Sequence, residues 1–207
     1  MRIQYNRIDI DVRKGETRTK QFLDKISSNG QVPVVIIPTN YVHNKAKSPT
    51  SSTSTTLNPS SSTATTNVEP TILTESNAIF NFFSDGTLLY PSNPIKRAKI
   101  MQWLFWEQFS HGPNFSSLRT WLTLLNKGED PQYLDQINER QIKGYEALEI
   151  MEKHLSKENW FVANKYTIAD IALYVHTHCA EEGKFYKKYL IFAFKKSIIN
   201  LFIYFPF

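Results

Sequence analysis

From Ile95 to Phe185 the hydrophobic residues recur at helical spacing almost without a break, and this run limits what the second half of the chain can fold into. Leu134, Ile137, Gln141, Tyr145, Leu148, Met151 and Leu155 step by three or four residues, the stripe of one long amphipathic helix. Gly144, beside that stripe, leaves room for a close neighbour. Phe115, Leu118, Leu122 and Leu125 form a second stripe, and Ile168, Ile171, Ala172, Val175 and Cys179 a third. The third has a marked start. Thr167 can cap the helix and Asp170 follows three residues later, the spacing of a capping box. Trp103, Phe105, Trp106 and Phe109 read as core and helix interface.

The residues before this run follow a different pattern. Ile3 to Val12 alternates imperfectly through Tyr5, Ile8 and Ile10, as a strand would, and Gly15 turns the chain. Thr17 to Ile26 reads as a short helix with Phe22, Leu23 and Ile26 on one side. Ser28-Asn29-Gly30 stops it. Val32 to Ile37 is β-branched apart from Pro33, so the strand is an edge or begins at the proline. Ile72 to Thr74 reads as another short strand, and Glu75-Ser76-Asn77 opens a helix carrying Ile79, Phe80, Phe82 and Phe83. Asp85-Gly86 and Pro91 to Pro94 form the next break. An α/β segment thus precedes a run of helices, two layers of different type. Between the two strands, 14 of the 19 residues from Ser48 to Thr66 are Ser or Thr and none is charged. Such a segment lacks the apolar surface to offset its ordering entropy and reads as a disordered surface loop. Loop closure costs grow only logarithmically with length, so the fold tolerates it.

Composition bounds the function. The net charge of +5 is spread without a basic run, so nucleic-acid binding has no local support. A single cysteine, Cys179, excludes an intrachain disulfide and fits a reducing, cytoplasmic setting. The polar start, Met1 to Asp11, does not read as a signal peptide. The apolar tail from Leu190 to Phe207 is interrupted by Lys195 and Lys196, leaving a run too short to span a bilayer, so no membrane role is expected.

Two places suit a ligand. Glu75-Ser76 stands where a strand gives way to a helix, whose first N–H groups and partial positive charge attract an anion. Ser76 with Glu75 could hold the two charges of an amino-acid end, or Ser76 could simply cap the helix. At Val32-Pro33, a cis bond would expose the Val32 backbone to a peptide-like ligand, although only about 5–6% of X-Pro bonds in folded proteins are cis. His176, His178 and Cys179 do not share a helix face and read as two ordinary histidines and a buried cysteine, with no metal. His111 and Arg119 lie near helix breaks with open roles.

Several stretches resemble the glutathione transferase family, most closely its bacterial-type soluble enzymes. They are Arg7 to Ile10, Gly15 to Thr19, Asn29 to Val34, Leu73 to Ile79, Gln102 to Gln108 and Phe161 to Ala172. The resemblance implies an α/β plus all-α fold: an incomplete thioredoxin-like domain over 1–90, with the Ser/Thr-rich insert at about 44–68, then an all-helical domain over 91–186. The tail over 187–207 has no counterpart. It also implies a cis Pro33 and glutathione held by Val32, Glu75 and Ser76, with Thr167 and Asp170 as a structural cap. In the family a serine, tyrosine or cysteine activates the thiol from a loop ahead of the equivalent of Tyr5. No catalytic residue is therefore expected among the matched positions, and conjugating activity is expected to be low. The implied function is transfer of the glutathione thiol to small electrophiles by a metal-free homodimer. The alternatives are a non-catalytic glutathione-binding or regulatory module, or a nonfunctional fragment.

Overall fold

The structure is a computed structural model that describes residues 4–41 and 69–185. The Ser/Thr-rich insert and the 187–207 tail lie outside the described residues. The chain divides into two compact units, the first ending at Phe83 and the second beginning at Ser84.

In the first unit the strand expected up to Val12 does not form among the described residues. Tyr5 and Ile8 are 78% and 75% exposed, and the one described sheet pairs other segments. An alternating segment becomes a strand only where a partner takes its backbone groups. Here Asp11 ends the alternation instead: its carboxylate accepts from Arg13 N and Lys14 N and starts a 3-10 turn, closed by Gly15 at φ 76°. Thr19 then caps α1 (Lys20–Lys25), accepting from Phe22 N at 3.3 Å, and the Phe22 ring is buried. Strand β1 (Val35–Ile37) runs antiparallel to β2 (Thr71–Leu73), with Val35 opposite Leu73, Ile36 opposite Ile72 and Ile37 opposite Thr71. The strand expected from Val32 is shortened because Pro33 has no N–H to give a ladder. Helix α2 (Ser76–Ser84) follows, and Tyr41 packs on its Phe82 and Phe83 rings.

The second unit opens with a pinned turn. Arg97 reaches back from α3 (Pro94–Trp106) to Asp85 at 2.6 Å, donates to the Pro91 carbonyl at 2.8 Å and covers the Tyr90 ring at 4.4 Å. Asn93 caps α3 and Pro94 takes its first position, where the missing N–H costs nothing. The helix continues through a π turn, Glu107–His111, into α4 (Gly112–Arg119), and then through a second π turn, Thr120–Leu124. Each π turn inserts a residue and rotates the downstream helix by about 100° relative to an α-helical repeat. The Phe115 stripe therefore does not persist: Phe115 and Leu118 are buried, but Leu125 is 52% exposed. The aromatic reading of α3 also needs correction. Ile100, Leu104, Glu107 and His111 take the buried face, so Phe105 and Phe109 point outward at 68% and 87% exposure.

Helix α5 (Pro131–Leu155) starts at its cap Asp130 and buries Ile137, Gly144, Ala147, Leu148, Met151 and Leu155. Helix α6 (Ile168–Thr177) buries Ile168, Ala169, Ala172, Leu173 and Thr177. Val175 is 44% exposed, and Cys179 lies beyond the helix end, half-buried rather than buried. The buried face is thus rotated from its expected position: Leu173 and Thr177 are buried in place of Val175 and Cys179. No described helix is long and apolar enough to cross a membrane.

Gly144 is tightly packed against a ring. A Cβ there would come within 2.6 Å of Phe185 Cε1, and that ring is 2% exposed and stacked on Phe115 at 4.5 Å. Alanine gains up to about 1 kcal/mol of helix propensity, but overpacking a closed core costs about 1–3 kcal/mol. Gly144→Ala is expected to lower the melting temperature by several degrees. An unchanged or higher value in a thermal melt would show that Phe185 moves aside freely.

Candidate functional site

The β1–β2 register decides which sequence candidates meet. Because Val35 pairs with Leu73, the segment that precedes β1 and the segment that follows β2 emerge at the same end of the sheet. Val32-Pro33 lies on the first of these and Glu75-Ser76 on the second. The Val32–Pro33 bond is cis, and Val32 is 43% exposed, outside the strand ladder. Glu75 holds a left-handed backbone at φ 66°, a conformation that costs a non-glycine residue about 1–3 kcal/mol. It makes the corner between β2 and α2. Its carbonyl accepts from Ile79 N at 2.9 Å, which places Glu75 at the cap and Ser76 at the first helical residue. The plain capping role considered for Ser76 therefore falls to its neighbour. The three residues present a main-chain edge, a hydroxyl at a helix N-terminus and an exposed carboxylate, chemically matched to a peptide end bearing an amine and a carboxylate.

Thr167 and Asp170 lie in the second unit and form a capping box. Thr167 Oγ1 accepts from Ala169 N at 3.3 Å, and Asp170 Oδ2 accepts from Thr167 N at 2.8 Å and from the Thr167 hydroxyl at 3.1 Å. Asp170 Oδ1 accepts from Phe161 N at 3.1 Å, a bond that spacing alone did not suggest. Burial pushes the Asp170 carboxyl up to about 6 against the pull of these donors.

The open polar residues have structural partners. His111 is fully buried, with Nε2 at 2.9 Å from Thr177 Oγ1. The Thr177 hydroxyl donates its one proton to the Leu173 carbonyl, so His111 Nε2 carries the ring proton and Nδ1 is an unpaired buried acceptor. Burial, with the nearby His176, lowers His111 to about 3. His176 Nε2 lies 3.3 Å from buried Glu107 Oε1. Arg119 Nε donates to Glu182 at 2.7 Å. Cys179 Sγ sits 3.1 Å from His178 Nε2, and burial holds its thiol above the ordinary value. A thiol so held is a poor nucleophile at neutral pH. Among the described residues no three His, Cys, Asp or Glu side chains group as metal ligands.

The family model "Glutathione S-transferase, C-terminal domain" matches residues 116–188. The disulfide-bond oxidoreductase YfcG of Escherichia coli K12 is 27% identical over 172 residues, covering 82% of this chain and 66% of the relative. A glutathione S-transferase from Pseudomonas fluorescens Pf-5 superposes with a TM-score of 0.71 at 32% identity, covering 93% of this chain and 79% of that one. A glutathione transferase from Pseudomonas putida, solved with one glutathione disulfide per subunit, superposes at 0.69 with 19% identity, over 99% of this chain and 78% of its own. The two-stranded sheet with α1 and α2 is a partial thioredoxin-like domain, and the helices after it are the all-helical domain that accompanies it. On the match to the Pseudomonas fluorescens enzyme and the helical-domain model together, this chain belongs to the glutathione S-transferase family.

Proposed function

We propose that this protein binds glutathione at the β1–β2 sheet end and directs its thiol to small electrophiles. The Val32 main chain pairs with the cysteinyl backbone of glutathione. Ser76 and the α2 N-terminus hold the γ-glutamyl carboxylate, and Glu75 takes the ammonium. Both peptide ends are then fixed while the sulfur stays open to an electrophile. A free thiol ionises near about 8.5, so a hydrogen-bond donor to sulfur would raise the thiolate fraction. In conjugation the sulfur forms a bond to the electrophilic carbon, the leaving group departs with the electron pair, and the thiol proton passes to solvent. None of the described residues is assigned that donor role. The proposal includes a cytoplasmic homodimer, with the division into domains at 1–90 and 91–186, on family grounds.

The observation that carries the reading is the Val35–Leu73 pairing, which ties the three residues to one sheet end. Titration calorimetry with reduced glutathione tests it. Ser76→Ala is expected to weaken binding about tenfold, the value of one charge-assisted hydrogen bond. Glu75→Gly relieves the left-handed strain while deleting the carboxylate, so it should hold or raise the melting temperature and still weaken binding. No glutathione binding, or Ser76→Ala binding like the parent, would refute the site.

A second reading is favoured by the YfcG relative, named a disulfide-bond oxidoreductase. Glutathione thiolate would attack a disulfide sulfur and release one thiolate, and a second glutathione would resolve the mixed disulfide, leaving glutathione disulfide. Turnover of hydroxyethyl disulfide beside that of chlorodinitrobenzene separates the two. Binding with neither turnover would select the non-catalytic module.

A further inference from the structure

We propose that the open edge of β1 is a self-association surface. A second copy of this chain adds its own β1 there, across a twofold axis, to form one four-stranded antiparallel sheet in the order β2–β1–β1–β2. In the single chain the sheet has two strands, and no residue of either is buried. A two-stranded sheet is marginal on its own and gains stability from further strands and a shared apolar face. β1 is also hydrogen-bonded on one side only. Its ladder runs to β2, and among the described residues no other backbone hydrogen bond reaches Val34 to Ile37. A row of such N–H and C=O groups is a template for another strand.

Charge decides which edge pairs and with what. Folded proteins guard exposed sheet edges with charged side chains. The β2 edge has that guard, since Glu69 and Glu75 flank Thr71–Leu73, each three residues from Ile72. Two β2 strands laid antiparallel about Ile72 bring Glu69 of each copy opposite Glu75 of the other, and like charges so placed repel. The β1 edge has no guard. Between Lys25 and Lys45 the sequence holds no Asp, Glu, Lys or Arg. Val34 to Ile37 is entirely β-branched, the residue type that packs best on a pleated surface. Such an edge selects an uncharged, β-branched strand, and the chain's own β1 is one.

Geometry fixes the register. A twofold axis normal to the sheet keeps each face on its own side, so opposed residues point the same way. Ile36 of one copy opposite Ile36 of the other meets that condition. It also sets Val35 opposite Ile37, so all three β1 residues pair. The neighbouring symmetric registers, centred on Val35 or Ile37, draw Pro33 or Pro38 into the ladder, where a residue without an N–H is disfavoured. Ile36 and Ile72 oppose each other on one face and are 48% and 39% exposed. In the joined sheet they line up as a row of four isoleucines, with the two copies of Ile36 in the middle.

Sedimentation velocity of the full chain over a concentration series tests this. A three-residue ladder buries far less than a standard interface, so half-association is expected at about 100 µM. If other faces of the chain also pair, β1 pairing doubles that assembly, and the readout is the mass lost in the variants. Ile36→Lys sets two ammonium groups opposite each other and should weaken association at least about tenfold. Ile36→Glu should do the same. Mixed in equal amounts, the two variants set Lys against Glu and should recover association near the parent concentration. That recovery also shows that both are folded. Ile72→Lys puts its charges on the two outer strands, about 14 Å apart, and should change association by less than about twofold. Stacking of the isoleucine faces would instead lose as much from Ile72→Lys as from Ile36→Lys. A parent whose mass does not rise across the series, equal losses in those two variants, or no recovery on mixing would overturn the proposal. Glutathione is absent throughout, so the outcome is separate from the glutathione reading.

Discussion

Asp170→Ala is expected to destabilise the helical unit by about 2–4 kcal/mol, more than a lost helix cap costs by itself. An ordinary cap substitution removes one acceptor from solvent-accessible donors. Asp170 is 3% exposed and serves three donors: Thr167 N and the Thr167 hydroxyl on one oxygen, and Phe161 N on the other. Its loss strands buried N–H groups, each costing about 1–3 kcal/mol when unsatisfied. It also unties the 160–164 turn from α6, so the effect is not confined to one helix end. Urea unfolding followed by tryptophan fluorescence reads it, since Trp160 sits at the tethered turn. Asp170→Asn keeps one acceptor and should fall between. A loss below about 1 kcal/mol for the alanine variant would mean that water replaces the carboxylate and that the box is dispensable.

The reach of each interaction decides how far it can be seen in the sequence. The Thr167–Asp170 box is legible because both partners lie within one helical turn. The Phe161 bond to the same carboxylate is not, since it depends on how the 162–165 turn folds back. The α5 stripe is legible because a long helix has one period. The π turn after Arg119 breaks that period without a sequence mark, so periodicity misplaces Leu125. The strand through Tyr5 and Ile8 fails because alternation specifies a face and not a partner. At the candidate site the chemical types are visible in Glu75-Ser76 and Val32-Pro33. Their meeting is not, because it rests on the pairing of Val35 with Leu73 across a long insertion.

The acid response of the helical unit should separate into two opposing parts, and His111 is the residue that reveals it. His111 titrates near 3 in the folded chain against an ordinary 6.5. A lowered folded value means that its contribution is complete above pH 6.5 and drains away as pH falls toward 3. Asp170 runs the other way. Its folded value of about 6 exceeds the ordinary 3.8, so its contribution is complete below 3.8 and is lost as pH rises through about 6. Between pH 6 and pH 4 the two largely cancel, and the parent protein should show a shallow stability profile over that range. His176, lowered by burial and paired with Glu107, lies 6.2 Å from the His111 ring and adds to the acid loss. His111→Gln removes one side of the balance. At pH 7.5 it should be clearly less stable than the parent, because Gln must replace a ring packed between Trp106 and Phe115. By pH 4 the gap should narrow by about 3 kcal/mol, the linkage accumulated over the interval from 6.5 to 4. Urea unfolding at half-unit pH steps measures the gap directly. A gap independent of pH would mean that His111 takes up its proton in the folded chain as readily as in the unfolded one, and that its unpaired Nδ1 is reached by water.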